Sequence, residues 1–396
     1  MNPEIIEIVR KESNALFQEV NEIRKHLHRN PELSYEEHET MKFVASKLSD
    51  YGITYTSEVA KTGIVALIHG KQHTNSDSCI GLRADLDALP ILEENTTDYI
   101  SKNKGVMHAC GHDVHTAILL GTAKILHNLR NQLPQPVKLI FQPGEEKNPG
   151  GASLMIKAGV LENPKVQEMY ALHVFPDLPA GEVGFKEGLY MASCDEIYID
   201  IEGIGGHAAT PHKTVDSILI GAEIVTSLQQ IVSRKCDPTI PCVLSFGHFE
   251  ALGATNVIPS HAHLKGTFRT MNESWRAEAL EQIVHQAEKI ALAHGGKATV
   301  TISKGYPFLE NDTTLTQTIR KKAVDLLGSE NVHELPLRLT SEDFSFYSQT
   351  IPTCFFRLGV RNEEKGIVHG VHHPRFDIDE KALITGMQMM SLAVFK

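Results

Sequence analysis

Apolar residues at Ile5, Ile6, Val9, Leu16, Val20, Ile23 and Leu27 recur at helical spacing, so the chain opens with an amphipathic helix that must stop before Pro31. A second helix is expected over 36–48. Short β-rich runs follow at 53–59, 63–69 and 79–83, each bounded by Gly, Asn or Asp. From there the pattern alternates, with helix 113–130, strand 137–141, helix 151–158 and strand 169–174. Such alternation predicts a three-layer α/β domain, helices covering both faces of a mixed sheet.

Near residue 190 the texture changes. Strand 195–202, helix 214–234, strands 242–248 and 263–269, helix 274–294 and strand 298–303 follow the β-α-β-β-α-β order of a ferredoxin-like α+β sandwich. This reads as an inserted domain, 189–304, entered through the turn formers at 184–188 and left through Gly305, Tyr306 and Pro307. The α/β pattern resumes with helix 313–327, strand 353–358 and a closing helix from Asp379. The first domain is therefore discontinuous, 1–188 and 305–396. A chain of 396 residues suits two domains, since one core rarely grows beyond about 250–300 residues.

Composition narrows the chemistry. With 41% hydrophobic and 22% charged residues the chain has ordinary globular usage, and its longest apolar runs are strand-sized, so no membrane span is expected. A net charge of −11 without a basic patch argues against nucleic acid and for a small-molecule substrate. The six cysteines, at 79, 110, 194, 236, 242 and 354, form no CxxC pair and no disulfide framework, which points to a reducing compartment. Met1, Asn2, Pro3 and Glu4 lack the basic-then-apolar pattern of a secretory signal, so a cytoplasmic location is expected.

Open α/β sheets place ligands beyond the carboxyl ends of their strands, and polar residues gather there. Asp85 and Asp87 follow the strand at 79–83, Glu145 and Glu146 follow the strand at 137–141, and His173 ends the strand at 169–174. The stretch 107–115, Met-His-Ala-Cys-Gly-His-Asp-Val-His, opens the helix between the first two. Its Cys110 and His112 are good ligands for borderline divalent metals, and Gly111 lets the backbone fold tightly enough for both to face one centre. A plain helix start would also account for it, with Asp113 in the first turn. The adjacent acids in Gln142-Pro143-Gly144-Glu145-Glu146 suit a division of labour, one carboxylate binding metal and the other serving as general base, although a solvated turn would look the same. Late in the chain His369, His372 and His373 precede Pro374; a ligand from this returning segment would close the coordination, and spacing leaves His372 and His373 equally open.

The glycines at 203–208 match a dinucleotide fingerprint formally, but Pro211 interrupts the following helix and the expected acid is missing. A loop exposing His207 is the better reading, and a nicotinamide-dependent oxidoreductase is set aside. HExxH, GxSxG and GxxxxGK are absent.

Together Arg83-Ala84-Asp85-Leu86-Asp87-Ala88-Leu89-Pro90, the 107–115 stretch, Gln142 to Glu146 with Gly150-Gly151-Ala152, His173, Gly206-His207 and His372-His373-Pro374 resemble the M20 metallopeptidase family, in its amidohydrolase branch of N-acyl-amino-acid, hippurate and auxin-conjugate hydrolases. The resemblance runs from His28 and Pro31-Glu32-Leu33 to Phe376. It implies hydrolysis of the amide of N-acyl amino acids by water held on two divalent ions, Zn, Mn, Ni or Co. Dipeptidase or carboxypeptidase activity and N-acetyl-diaminopimelate deacetylation are the alternatives within the family. Cys110, His112, Glu146, His173 and His372 would be the ligands, Glu145 the general base, tuned upward by partial burial, and Asp87 an orienting acid. The usual first ligand of the wider family is His, whereas this chain has Asp85 there. The inserted domain would be a lid and dimerisation domain, His207 an oxyanion donor to substrate in the partner of a homodimer or larger oligomer, and Asn256 and Arg269 substrate contacts. Arg269 at a strand end equally fits a surface salt bridge. His108 and His115 would be supporting residues.

Overall fold

In the computed structural model, which describes residues 3–70 and 77–395, the N-terminal apolar stripe forms helix α1 (Pro3–Arg29). Met1 and Asn2, part of the segment read as non-secretory, lie outside the described residues. Val9, Val20, Ile23 and Leu27 of α1 share one hydrophobic core with Met41 and Val44 of α2 (His38–Asp50), Ile118 and Leu119 of α3 (His112–Asn128), and Met387 and Met390 of the C-terminal helix Ala382–Ala393.

These helices cover an eight-stranded mixed sheet. Its strands are β1 (Thr54–Val59), β2 (Gly63–Ile68), β3 (Ser78–Asp85), β4 (Val137–Gln142), β5 (Lys165–Pro179), β6 (Val183–Phe185), β7 (Val332–Glu334) and β8 (Thr353–Arg361), in the order β1-β2-β4-β3-β5-β8-β6-β7. The centre, β4-β3-β5-β8, is parallel, and β1-β2, β2-β4 and β8-β6 are antiparallel. Nearly every residue of β3, β4 and β8 is buried, so both faces of the central sheet are covered, as a three-layer α/β fold requires. Asp85 and Gln142, the last residues of β3 and β4, are register partners, so the loops that follow leave the sheet side by side.

One strand differs from expectation. β5 runs on to Pro179 because β8 continues to pair with it, so His173 lies inside the strand and not at its end. It still reaches the same region, because pairing between β3 and β5 stops at Ala171.

The unit that carries this sheet comprises Met1–Tyr190, Glu310–Leu337 and Phe346–Lys396; Met191–Leu309 and Arg338–Ser345 form a second. The sequence reading assigned 338–345 to the first domain. The segment packs instead with the second unit, where Arg338 bridges Met191 and Ala192 N donates to Thr340 O at 3.1 Å, contacts that leave no periodic signal in sequence.

In the second unit the strands Asp195–Glu202, Cys242–Glu250, His261–Thr270 and Lys297–Lys304 form an antiparallel sheet with Asp195–Glu202 and His261–Thr270 at its centre. Helices Ser217–Gln230 and Glu273–Ala293 pack Ile220, Ile224, Ile283 and Ala287 onto Ile197, Ile199 and Ile201. This is the expected ferredoxin-like unit. Its first helix starts later than predicted because Asp216 caps it, accepting from Ile218 N and Leu219 N. A bidentate pair from Arg276 to Asp195, with Gly305 N donating to the same carboxylate, ties the beginning of the unit's first strand to the turn after its last. Among the described residues no helix is long and apolar enough to cross a membrane.

Candidate metal centre

Gly111 precedes the first residue of α3 with φ +83°, and a Cβ there would come within 2.5 Å of Val174 Cγ2. Glycine therefore lets the loop at 108–112 close onto β5. His112, the first residue of α3, donates from Nδ1 to Asp87 O at 2.8 Å, with Asp87 Oδ1 at 3.2 Å. That fixes its tautomer and leaves Nε2 buried with no hydrogen-bond partner. His173 is arranged in the same way: Nδ1 donates to Val174 O at 2.8 Å, and Nε2 lies 3.4 Å from Cys110 Sγ.

The returning segment supplies His372. Its backbone takes the left-handed conformation, φ +65°, uncommon for a residue with a side chain, and its N–H donates to Ala109 O at 2.7 Å. This bond fastens the late loop to the residue before Cys110. His372 Nε2 lies 3.3 Å from Glu146 Oε1, which is otherwise buried without a partner, while His373 stacks on His369 with centroids 4.2 Å apart. Cys110 thus belongs to two sets, one with His112 and His173 and the other with Glu146 and His372, and within each set the donor atoms lie within 4.8 Å of one another. Glu145 is buried beside them, its Oε2 3.9 Å from His112 Nε2.

Of the neighbouring polar groups, Asp85, His115 and Asp113 are already committed. Asp85 binds Arg83 Nη1 through Oδ2 and His115 Nδ1 through Oδ1, both at 2.6 Å. His115 accepts Val174 N at Nε2, 2.9 Å away, so both its nitrogens are used. Burial lowers the pKa of His115, and burial with the nearby His115 and Arg357 lowers that of His173 well below normal, which keeps both imidazoles neutral. His108 is fully buried, with neither nitrogen hydrogen-bonded, and desolvation pushes its pKa down to about 4. Asp113 turns away, to Arg24 Nε and His28 Nδ1, each at 2.8 Å.

The charge at the centre is unbalanced without a cation. Burial and then Glu146, Glu145 and Asp85 raise the Cys110 thiol well above its ordinary pKa, while Asp85, Asp87 and Glu146 outweigh burial to lift His112 to about 10. A bound divalent ion would reverse both effects, favouring the thiolate of Cys110 and the neutral imidazole of His112. The unpartnered His112 Nε2 and Glu146 Oε1, the Cys110 thiol and the imidazoles of His173 and His372, with the His112 and His173 tautomers fixed from behind, fit a borderline divalent metal.

Sequence reasoning missed Ser34, whose Oγ donates to Asp87 Oδ2 at 2.6 Å, and gave Arg83 no task. Arg83 was detectable, because residues two apart in a strand share a face with each other. Ser34 carried no such signal.

Residues 81–396 match the family model described as Peptidase family M20/M25/M40. The chain belongs to the M20 family. It is 44% identical over 283 residues to an N-acyl-L-amino acid amidohydrolase of Geobacillus stearothermophilus, covering 72% of this chain and 75% of that one. It is 39% identical over 380 residues to IAA-amino acid hydrolase ILR1-like 4 of Arabidopsis thaliana, covering 95% and 85%. The crystal structure of the Bacillus subtilis YXEP protein, described as a dinuclear metal binding peptidase from M20 family, superposes with a TM-score of 0.79 at 35% identity over 96% of this chain and 98% of that one. Family members are metal-dependent hydrolases acting on amide bonds, and this chain is such a hydrolase.

In the second unit of this M20 hydrolase, His207 is exposed on a short ribbon in which Gly206–His207 pairs with Val257–Ile258. Ala209 N donates to its Nδ1 at 3.0 Å, so the accessible Nε2 carries the hydrogen and is a donor. Asn256, also exposed, lies on the same ribbon and its carbonyl accepts Ala208 N. Arg269 Nη1 donates to Leu339 O at 3.1 Å; among the described residues it forms no surface salt bridge.

Proposed function

We propose that this protein hydrolyses the amide bond of N-acyl amino acids with two divalent ions, held by Cys110, His112, Glu146, His173 and His372, and Glu145 as general base. The reading rests on one observation above the others: two donor sets meet at Cys110, and each contains a buried atom, His112 Nε2 or Glu146 Oε1, without a hydrogen-bond partner. Cys110, His112 and His173 on one side and Cys110, Glu146 and His372 on the other would hold the ions. Bound zinc, manganese, nickel or cobalt would supply Lewis acidity, polarising the scissile carbonyl and acidifying water. Glu145 takes the proton of the attacking water and returns it to the leaving amine. Asp87 holds the His112 tautomer that presents Nε2 to the centre. The Nε2–H of His207 would donate to the carbonyl oxygen of substrate held by a partner subunit, and Asn256 and Arg269 would contact substrate.

The substrate class follows the names of the bacterial and plant relatives, an N-acyl-L-amino acid amidohydrolase and an IAA-amino acid hydrolase. A second copy would meet the second unit, where Ile218, Leu219 and Phe249 are exposed and the strand Cys242–Glu250 forms a sheet edge. Six unpaired cysteines agree with a reducing, cytoplasmic setting.

Metal analysis should return about two divalent ions per chain, and chelation should abolish turnover of N-acetyl and N-benzoyl amino acids. Glu145→Gln should keep the metal and lose turnover. A fully active metal-free protein, or an unimpaired Glu145→Gln variant, would overturn the reading, and dipeptides cleaved in preference to N-acyl amino acids would overturn the substrate class.

A further inference from the structure

The connection between α1 and α2 makes contacts that joining two helices does not require. Glu37 is fully buried. Its Oε1 accepts the N–H of Tyr35 at 2.9 Å and of Gly144 at 2.8 Å, and its Oε2 accepts Thr62 Oγ1 at 2.5 Å. Tyr35 has φ +68°, a conformation that a side-chain-bearing residue rarely adopts. Its hydroxyl donates to Lys147 O at 2.8 Å, and its ring fills the space over Gly144, where a Cβ would come within 2.3 Å of it. Ser34 Oγ donates to Asp87 Oδ2, which also accepts Glu146 N at 3.0 Å. The connection is itself anchored: Ala88 N donates to Glu32 O at 2.8 Å, and the Glu32 carboxylate accepts Glu39 N and Thr40 N at the start of α2.

The loop after β4 is thus held at Gly144 N, at Glu146 N through Asp87, and at Lys147 O. Between these points lie Glu145 and Glu146. We propose that residues 34–37 form a clamp that positions these two carboxylates for hydrolysis, with Tyr35 and Glu37 as positioning residues; this rests on the reading of Glu145 as base and Glu146 as ligand. The need is physical. Gly144, at φ +60°, is flexible, and two neighbouring side chains with different tasks must diverge by a fixed angle, so a small rotation of the loop misplaces both. Glu37 serves through shape and acceptors, not through charge. A glutamine can accept both N–H groups at its oxygen while its amide donates to Thr62 Oγ1, whereas a leucine leaves Gly144 N and Tyr35 N unpaired.

The test compares Tyr35→Phe, Glu37→Gln, Glu37→Leu and Glu145→Gln in the full-length metal-loaded enzyme, reading kcat, KM for an N-acetyl amino acid, metal content and Tm. Tyr35→Phe should lower kcat about tenfold, and Glu37→Leu about a hundredfold, with KM near wild type and metal content reduced, because Glu146 moves together with Glu145. Glu37→Gln should bring kcat back to within about threefold of wild type, a rescue that follows from its matching hydrogen bonds. Wild-type kcat in either Tyr35→Phe or folded Glu37→Leu would overturn the clamp, as would equal losses in Glu37→Gln and Glu37→Leu. If Glu37→Leu does not fold, Tyr35→Phe decides, because it removes only a hydroxyl from a solvent-accessible bond. A fully active Glu145→Gln variant would strike the base reading, and the clamp with it; an inactive one beside a fully active Tyr35→Phe would strike the clamp alone.

Discussion

Asp87→Asn is the sharpest probe of how the centre holds His112. Asp87 is 1% exposed. Its Oδ2 accepts Ser34 Oγ at 2.6 Å and Glu146 N at 3.0 Å, so an asparagine must put its carbonyl oxygen there. The amide NH2 would then face His112 Nδ1 from the place of Oδ1, 3.2 Å away. Because Nδ1 already donates to Asp87 O at 2.8 Å, it carries the hydrogen, and donor meets donor. Burial opposes the Asp87 charge, yet His112, Ser34 and Glu146 N–H hold its pKa below the ordinary value, so the native pair is charge-assisted. Losing such a bond costs about 1.5–3 kcal/mol. At about 1.4 kcal/mol per tenfold this is about 10–150-fold in affinity, in line with the effect of removing the partner behind a ligand histidine. A competition titration against a chelator should therefore find metal bound about 10–100-fold more weakly, with an unchanged circular dichroism spectrum and turnover partly restored by excess metal. Wild-type metal affinity in Asp87→Asn would refute the proposed task of this carboxylate.

Three further outcomes follow from the packing. Gly111→Ala combines a left-handed backbone, costing about 1–2 kcal/mol, with a methyl 2.5 Å from Val174 Cγ2, so the purified variant should bind less metal and unfold at lower urea; an unchanged metal content would contradict this. Asp195→Ala removes the bidentate partner of the buried Arg276 and leaves it Glu273 Oε2 and Gly305 O; it should cost about 1.5–3 kcal/mol in urea unfolding, and a loss below about 0.5 kcal/mol would show that the pair does not hold the second unit together. His28 is buried with Nδ1 against Asp113 and Nε2 against Glu93; burial opposes its charge, but Asp113 and the hydrogen bonds to both carboxylates raise its pKa. Its stabilisation is thus complete below the unfolded pKa of about 6.5 and is lost as pH rises through the higher folded value. The urea midpoint of His28→Gln should fall less steeply over that window than the wild type's, and equal slopes would refute the assignment.

Much of this protein is legible in one dimension. Helix α1 and the helix Thr313–Leu327 were marked by local signals, an apolar stripe in the first and close agreement of both boundaries in the second. The ferredoxin-like unit showed in the order of its elements, and the residue types at 107–115, 142–146 and 369–374 announced the chemistry. The short strands β6 and β7 carried no such signal, because three residues are too few to establish a period. Nor did sequence place Arg338–Ser345 with the second unit, since its contacts there are scattered single bonds, backbone to Met191 and Ala192 and from the Arg269 side chain, with no periodicity.

The finer selection at the centre belonged to the tertiary structure. Spacing left His372 and His373 equal, and only the fold set one beside Glu146 and stacked the other on His369. His112, His115 and His173 are alike as residue types. His115 has both nitrogens occupied, by Asp85 and Val174 N, whereas His112 and His173 have one occupied and one facing the cysteine. Residue identity sets what an atom can donate or accept; which lone pair remains for a metal depends on every donor within reach, and those come from strands and loops far apart in the chain.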